Sequence, residues 1–215
     1  PDAIYVGSNE ADLTNQMQAG DMIAMYKPDV VVHLAARVGG ILENIKFPSE
    51  FFEQNILMNT NIMSACLNQG VKRFIGILST CAYPDMEVIA PFHLSHGDFF
   101  PMTEHYLHLG PPAKTNFAYG YAKRCMAVQI DAYNQQYGTK YCYLIPSNLY
   151  GPNDLFDLEK SHFLTALIMK IVQAKKNGDD HITLFGTGIP MRQFMYSADL
   201  AKVIKLCIDN DYYES

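Results

Sequence analysis

The residues in this sequence that best suggest chemistry are a tyrosine and a lysine four positions apart, Tyr119 and Lys123, in an amphipathic segment that continues to Tyr137. Positions i and i+4 of a helix lie on one face, so the ammonium group is expected beside the phenol. A neighbouring positive charge favours the ionised phenol and is expected to lower its pKa from the usual value of about 10. Such a tyrosine can protonate a carbonyl oxygen while a nicotinamide delivers hydride.

The same spacing also fits an ordinary tyrosine and lysine on the surface of a helix. The chain contains 14 tyrosines, and about one such pair is expected by chance at this lysine content. Tyr119 is the only tyrosine in the sequence with a lysine four positions later. The residues around the pair must therefore decide between the two interpretations.

Composition limits the classes of protein to which the chain can belong. Of its 215 residues, 49% are hydrophobic and 18% charged, which is typical of a globular enzyme. The net charge of −6 argues against a nucleic-acid binder that relies on a basic face. No apolar run is long enough for a membrane helix. The five cysteines are scattered and form no Cys-x-x-Cys motif, which predicts reduced thiols in a cytoplasmic protein; they are Cys66, Cys81, Cys125, Cys142 and Cys207.

Apolar runs and helical periodicities alternate along the chain. The strands are expected at 3–6, 30–36, 71–80, 141–145 and 182–185, and the main helices at 48–70, 117–137, 161–176 and 198–208, with a shorter helix ending near 20–26. Ser161 is expected to cap the helix that follows it. Unalternated apolar runs suit parallel strands that are covered on both faces. The pattern predicts an α/β fold with a doubly wound, Rossmann-like parallel sheet.

Several reactive or flexible residues follow predicted strands. Gly39, Ser79, Cys81 and Asn148 each lie at or near the end of such a run. Ligands of open α/β sheets bind outside the carboxyl ends of the strands. We therefore expect these residues near a common ligand site.

Four short strings give the sequence a family resemblance. They are HLAARVGG at 33–40, STCAYP at 79–84, PSNLYGP at 146–152 and GTGIPMRQF at 186–194, together with Asn55 and the Tyr119/Lys123 pair. In these strings the chain resembles the extended short-chain dehydrogenase/reductase family over residues 3–208. Within that family it is most similar to enzymes that epimerise and reduce a GDP-linked 4-keto-6-deoxy sugar.

The resemblance implies catalytic roles for five residues. For reduction it implies NADPH as hydride source, Tyr119 as proton donor, Lys123 as the residue that holds the nicotinamide ribose, and Ser79 as a hydrogen-bond donor to the keto oxygen. For epimerisation it implies Cys81 and His162 as the acid–base pair, since a thiol and an imidazole can both take up and return protons near neutral pH. Taken singly, Cys81 also fits a packed thiol and His162 a solvated histidine in a first helical turn.

The resemblance also implies binding residues. For the cofactor these are Asp12 and Leu13 at the adenine, and Ala35, Ala36, Pro146, Ser147, Asn148 and Leu149 along the rest of the dinucleotide. For the GDP-sugar they are Arg192 at the diphosphate, Lys170 as a second basic group, and Phe185, which also fits a core aromatic. No acidic residue closes the segment 3–6, where one would bind a ribose 2′-hydroxyl, and this favours NADPH over NADH. No arginine takes the place of the acid, so the preference for NADPH rests mainly on the resemblance.

The segment between Pro84 and Pro111 is longer than the family pattern and rich in histidine. It contains His93, His96, His105 and His108. Imidazole pairs can bind zinc, but no cysteine or carboxylate completes a site at familiar spacing. We expect no metal, and interpret the segment as a flap over the substrate.

Residues 1–150 are expected to form the dinucleotide-binding domain, 151–190 part of a substrate-binding region, and 191–215 a return to the first domain. The family's glycine-rich phosphate loop would precede Pro1 and its last substrate-binding part would follow Ser215, so the resemblance implies a truncated chain. It also implies a homodimer that pairs the helices near 50–69 and 117–136. Two alternatives remain: a related nucleotide-sugar epimerase or dehydratase that recycles its nicotinamide, and a non-catalytic nucleotide-binding or assembly module.

Overall fold

The computed structural model describes residues 3–85, 102–157, 161–184, 186–188 and 192–213. The strands are β1 (Val30–His33), β2 (Arg73–Ile77), β3 (Lys140–Leu144), β4 (Asn148–Tyr150) and β5 (Phe194–Tyr196). The helices are α1 (Gln16–Tyr26), α2 (Ile41–Lys46), α3 (Pro48–Asn68), α4 (Phe117–Tyr137), α5 (Phe163–Asn177) and α6 (Ser197–Asn210). Two short 3-10 helices span Thr80–Ala82 and Glu104–His108.

The central sheet has three parallel strands in the order β1-β2-β3. The register places Val31 beside Phe74 and Phe74 beside Tyr141. Each connection crosses over through a long helix, α3 between β1 and β2 and α4 between β2 and β3. Parallel neighbours need such crossovers because the chain must return to the same end of the sheet. The predicted parallel α/β sheet is confirmed.

Helices cover both faces of this sheet. On one face α3 and α4 contribute Ile62, Met63 and Met126 to a core that includes Phe74 and Tyr141. On the other face the partly buried side chains of α6, with Tyr213 beyond it, pack against Ile75, Ile77 and Cys142. Neighbouring residues of one strand point to opposite faces, so the buried part of β2, from Phe74 to Ile77, needs residues without polar side chains on both faces. This explains why its sequence shows no alternation.

Gly76 in β2 allows α4 to approach the sheet closely. A Cβ at this position would lie 3.1 Å from the sulfur of Met126 and 3.3 Å from Cδ1 of Ile130, which is tighter than ordinary van der Waals contact. Because α4 carries Tyr119 and Lys123, this close contact sets the height of the pair above the sheet.

The two long helices begin and end as their sequences indicate. Pro48 occupies the first turn of α3, where its missing N–H has no intrahelical partner to lose. Gly138 ends α4 with a φ of 62°, in the left-handed region that glycine adopts most readily. Both helices were predicted within two residues of these bounds.

Two expected strands are absent. Residues 3–6 lack regular structure, with Ile4 58% and Tyr5 90% exposed, and residues 182–184 are also irregular. Neither segment pairs with a strand in the described part of the chain. Residues of high β-propensity form a strand only where a neighbouring strand supplies partners for their backbone hydrogen bonds. Both strand predictions were therefore wrong for these residues.

Ser161 does not cap α5, contrary to prediction. The N-cap is His162, which makes no side-chain cap hydrogen bond. The Ser161 hydroxyl instead accepts a hydrogen bond from the Asp157 N–H at 2.8 Å and donates one to the Leu155 carbonyl oxygen. The serine therefore closes the preceding loop.

The structure adds a second, two-stranded parallel sheet that the sequence did not indicate. In this sheet Asn148 lies beside Phe194 and Tyr150 beside Tyr196. It ties the segment after β3 to the segment before α6. The proposed domain limits at 150 and 190 stay predictions. None of the described helices is long and apolar enough to cross a membrane.

Candidate active site

Lys123 lies near the start of α4, and its side chain is buried. Its Nζ donates a hydrogen bond to the carbonyl oxygen of Ile77, the last residue of β2, at 2.7 Å. The same nitrogen lies 5.8 Å from the centre of the Tyr119 ring. Burial lowers the pKa of Lys123 to about 8, because the protein interior disfavours the charged form. The helix thus brings the lysine to the carboxyl end of the sheet and to the tyrosine, as the spacing indicated.

The Tyr119 phenol is not acidified in this structure. Burial raises its pKa above the usual range, and the nearby Cys81 thiol raises it further, while a hydrogen bond with the Ser79 side chain acts in the opposite direction. The expected lowering by Lys123 was wrong for the chain alone, because burial dominates and the ammonium is turned towards a backbone carbonyl. A phenol with a raised pKa remains protonated near neutral pH and can still donate its proton.

Ser79 and Cys81 share a short turn directly after β2. The Ser79 Oγ accepts a hydrogen bond from the Cys81 N–H at 3.2 Å and so begins the 3-10 helix Thr80–Ala82. Both side chains are half-buried. Through this turn the hydroxyl of Ser79 and the thiol of Cys81 face the phenol of Tyr119. Four of the five predicted catalytic residues therefore lie together.

The loop after β1 is held by Asn55, a fully buried residue of α3. The Asn55 Oδ1 accepts a hydrogen bond from the Arg37 N–H at 3.0 Å, and its Nδ2 donates to the Arg37 and Phe51 carbonyl oxygens at 3.0 and 2.7 Å. The side-chain amide replaces a strand partner for Arg37. It fixes the chain just after Ala35 and Ala36, two predicted cofactor residues.

A second asparagine of α3 joins β1 to α4. The Oδ1 of Asn59 lies 3.0 Å from Nε2 of His33, and its Nδ2 donates to the Ala122 carbonyl oxygen at 3.5 Å. Burial, together with the nearby charge of Lys123, lowers the pKa of His33 to about 4, although the Asn59 hydrogen bond acts in the opposite direction. The imidazole is therefore neutral beside the lysine.

Asp12 and Leu13, predicted at the adenine, lie in the turn before α1. The Asp12 Oδ1 accepts hydrogen bonds from the Thr14 N–H at 2.9 Å and the Thr14 hydroxyl at 2.7 Å, and these bonds lower the pKa of its carboxyl group. The carbonyl oxygens of Leu13 and Thr14 accept from Nδ2 of Asn61. A third asparagine of α3 thus anchors this turn.

The predicted nicotinamide segment runs from β3 into β4. Pro146 and Ser147 are half-buried in the connection, and Asn148 and Leu149 belong to β4. The Asn148 Nδ2 donates to the Gln193 carbonyl oxygen at 3.0 Å. The Asn148 backbone N–H donates to the same oxygen at 3.3 Å, so both the side chain and the backbone of Asn148 support the small sheet.

The remaining predicted residues do not join the cluster. His162 is exposed at the N-terminus of α5, and its imidazole makes no hydrogen bond or ion pair within the described part of the chain. Lys170 Nζ donates to the Thr183 carbonyl oxygen at 2.9 Å. Arg192 is exposed just before β5. Phe185, His93 and His96 lie outside the described residues.

The described residues suit the nicotinamide end of a dinucleotide. An ammonium carries three donors, and that of Lys123 uses one on Ile77, which leaves others for ribose hydroxyls. Residues 1–215 contain no G-x-G-x-x-G or G-x-x-G-x-x-G string. Over the described ranges, no group of three or more His, Cys, Asp or Glu side chains could hold a metal ion.

Sequence reasoning missed the structural roles of Asn59, Asn61 and Arg124. All three are buried polar residues. A signal was present for Asn59, which follows Asn55 by four positions on the stripe of α3 that also carries Ile62 and Cys66. Polar residues inside an apolar stripe indicate buried hydrogen bonds.

The chain matches known proteins along nearly its whole length. The model of the NAD dependent epimerase/dehydratase family matches residues 5–214. The GDP-L-fucose synthase of Dictyostelium discoideum is 39% identical over 207 residues, which cover 96% of this chain and 61% of that protein. The probable GDP-L-fucose synthase of Drosophila melanogaster is 37% identical over 217 residues, with coverages of 98% and 64%.

A solved structure agrees with these relatives. The crystal structure of a GDP-L-fucose synthetase from Naegleria fowleri bound to NADP superimposes with a TM-score of 0.81 at 38% identity, covering 95% of this chain and 63% of that chain. This chain therefore spans a little under two thirds of the length of these proteins. The family match and the shared fold confirm the resemblance derived from the four sequence strings: the chain belongs to the NAD dependent epimerase/dehydratase family.

Proposed function

We propose that the full-length protein is an NADPH-dependent epimerase and reductase that converts GDP-4-keto-6-deoxy-D-mannose to GDP-L-fucose. The observation that carries this proposal is the position of Cys81 in the Ser79–Tyr119–Lys123 cluster, in the turn after β2 where its N–H donates to the Ser79 Oγ at 3.2 Å. A reductase needs only a proton donor and its supports, whereas a thiol beside them adds a group for proton exchange at carbon. The relatives named GDP-L-fucose synthase support the same activity.

In the reduction, NADPH supplies the hydride for the 4-keto carbon. Tyr119 gives its phenolic proton to the oxygen that becomes the 4-hydroxyl, and Ser79 holds that oxygen through its hydroxyl. Lys123 orients the ribose with the donors that its hydrogen bond to Ile77 leaves free.

In the epimerisation, protons leave and return at the carbons on either side of the ketone. Cys81 takes part from the turn after β2, and His162 acts as its partner from the start of α5. His162 is exposed at the start of α5, and we propose that bound substrate lies between α5 and the sheet and completes the pair. We assign the diphosphate to Arg192, with Lys170 and Phe185 as further substrate contacts and the segment containing His105 and His108 as a cover.

The direct test is to incubate the full-length protein with GDP-4-keto-6-deoxy-D-mannose and NADPH and to identify the product by NMR. GDP-L-fucose formed with matching NADPH oxidation is the expected result. Tyr119→Phe should abolish product while the protein remains folded, because the ring is kept and the proton donor is lost. Tyr121→Phe is the matched control on the exposed side of the same helix and should retain activity. A product reduced at C4 without epimerisation would contradict the proposal and indicate a simple reductase.

We also propose a homodimer in the cytoplasm. The outer faces of α3 and α4 leave large apolar side chains exposed, namely Phe52, Leu57, Phe117, Tyr121 and Val128. An open groove of about 520 Å³ between the starts of the two helices is lined mainly by apolar side chains. A two-fold partner would bury the same face of each copy. The five free cysteines support a reducing compartment.

A further inference from the structure

Arg124 follows Lys123 on α4 and is 9% exposed. Its Nε donates to the Ala82 carbonyl oxygen at 3.0 Å, Nη2 donates to the same oxygen, and Nη1 donates to the Gly110 carbonyl oxygen at 2.7 Å. The guanidinium also lies 5.3 Å from the centre of the Tyr121 ring. Within the described ranges it pairs with no carboxylate. Its charge is therefore used to bind two backbone carbonyls.

These two carbonyls belong to segments on either side of the candidate site. Ala82 ends the 3-10 helix that contains Cys81, and Gly110 lies in the chain that returns from the histidine-rich segment to α4. The planar guanidinium presents its donors in a fixed fork. It can therefore fix the separation of both segments from α4, which a single ammonium nitrogen cannot do.

Gly120, one helical turn before Arg124, contacts the same two segments. A Cβ at this position would lie 2.4 Å from the Cys81 carbonyl oxygen and 2.8 Å from Cβ of Pro112. Helix α4 thus presents two adjacent pairs at i and i+4. Tyr119 and Lys123 belong to the candidate active site, and Gly120 and Arg124 contact the backbone of the Cys81 turn.

We propose that Arg124 is a positioning residue that holds the Cys81 turn against α4, so that the Cys81 thiol and the Tyr119 phenol reach the same sugar ring. The inference that Arg124 positions Cys81 and Tyr119 for a sugar substrate rests on the proposed function. The inference that Arg124 holds the Cys81 turn does not, since its hydrogen bonds to Ala82 and Gly110 fix the turn whether or not the protein reduces a GDP-sugar.

The first measurement is solvent deuterium incorporation into the GDP-keto sugar by the full-length Arg124→Met protein. Methionine keeps the length and apolar stem but donates no hydrogen bond. Displacement of a reacting group by about 1 Å can slow a reaction on the order of 100-fold, so we expect a loss of exchange of roughly 10-fold to 100-fold, with NADPH affinity unchanged. Arg124→Lys should restore part of the rate, because its ammonium can bind one of the two carbonyls. Arg73→Met, which removes an arginine at the opposite end of β2, should exchange like the parent.

The second measurement does not need substrate. Iodoacetamide labelling of Cys81 is followed by peptide mass spectrometry, with Cys207 on the other face of the sheet as internal reference. Release of the turn in Arg124→Met should raise the labelling of Cys81 relative to Cys207 several-fold. If the parent protein exchanges no deuterium, the proposed function fails and the labelling result alone decides the role of Arg124.

Parent values of both exchange and labelling in a folded Arg124→Met protein would overturn the proposal. If the methionine variant does not fold, Arg124→Lys carries the test, and parent values of both measurements in that variant would overturn it equally. Reduced exchange together with faster Cys81 labelling supports it.

Discussion

His33 is buried at the end of β1 between Asn59 and the ring of Phe74. Burial lowers its pKa to about 4 from 6.5. Between these values the unfolded chain binds a proton that the folded chain does not, so the free energy of unfolding falls as the pH falls from 6.5 to about 4. The difference corresponds to on the order of 3 kcal/mol. We expect urea unfolding of the parent to show this loss.

The variant His33→Gln keeps a hydrogen-bonding group for Asn59 and removes the titration. Its unfolding free energy should depend less on pH across this window. His181→Gln removes an exposed histidine paired with Asp180 and should keep the slope of the parent. A parent and a His33→Gln protein with equal slopes would show that His33 is not the group responsible.

At the residue scale, the sequence predicted which side chains lie close together better than it predicted their pKa values. The spacing of Tyr119 and Lys123 was enough to place them on one side of a helix. The pKa of Tyr119 was predicted in the wrong direction, because spacing says nothing about burial or about the carbonyl oxygen of Ile77 that takes the ammonium. Arg124 was missed since its partners, Ala82 and Gly110, are backbone groups that leave no pattern in sequence.

At the scale of elements, α3 acts as a frame: its buried asparagines hold the loop after β1 and the turn before α1, and they join β1 to α4. Asn55→Leu should test this role, because leucine has a similar size and leaves the N–H and C=O of Arg37 without partners. Each unpaired buried group costs roughly 1–3 kcal/mol. We expect a lower free energy of unfolding in urea and, because Ala35 and Ala36 precede Arg37, weaker NADPH binding in a fluorescence titration of the full-length protein.

Asn68→Leu at the exposed end of the same helix is the matched control and should change neither quantity appreciably. Equal stability and NADPH affinity of Asn55→Leu and Asn68→Leu would contradict the framing role of α3.

The elements themselves were predictable wherever the pattern was long. Helix α3 was found from its apolar stripe and α4 from its amphipathic pattern, and β2 from its continuous apolar run. The short segments 3–6 and 182–184 failed because strand formation depends on a pairing partner that propensity does not supply. The short sheet of β4 and β5 was missed for the converse reason: its pairing joins residues about 45 positions apart, beyond any local pattern.

At the scale of the whole molecule, the exposed apolar face of α3 and α4 predicts self-association. Val128 is 54% exposed on α4, and a glutamate there would place charge in an apolar contact between two copies, where unpaired charge is disfavoured. We expect the full-length protein to be a dimer by light scattering at micromolar concentration, and Val128→Glu to shift it towards the monomer.

Leu206→Glu is the control for surface charge, since Leu206 is 56% exposed on α6, away from the proposed interface. It should leave the dimer intact. A monomeric parent protein, or dissociation caused equally by both substitutions, would rule out the α3–α4 interface.

The central claim is that one cluster performs two separable reactions, proton exchange through Cys81 and reduction through Tyr119. The most direct measurement is mass spectrometry of the GDP-sugar recovered from heavy water, with and without NADPH, for the full-length parent, Cys81→Ser and Tyr119→Phe proteins. A hydroxyl is a far poorer base than a thiolate, so Cys81→Ser should incorporate little deuterium while still binding NADPH. Tyr119→Phe should incorporate deuterium and fail to reduce. Exchange by Cys81→Ser at the rate of the parent would contradict the account and leave Cys81 a packed thiol.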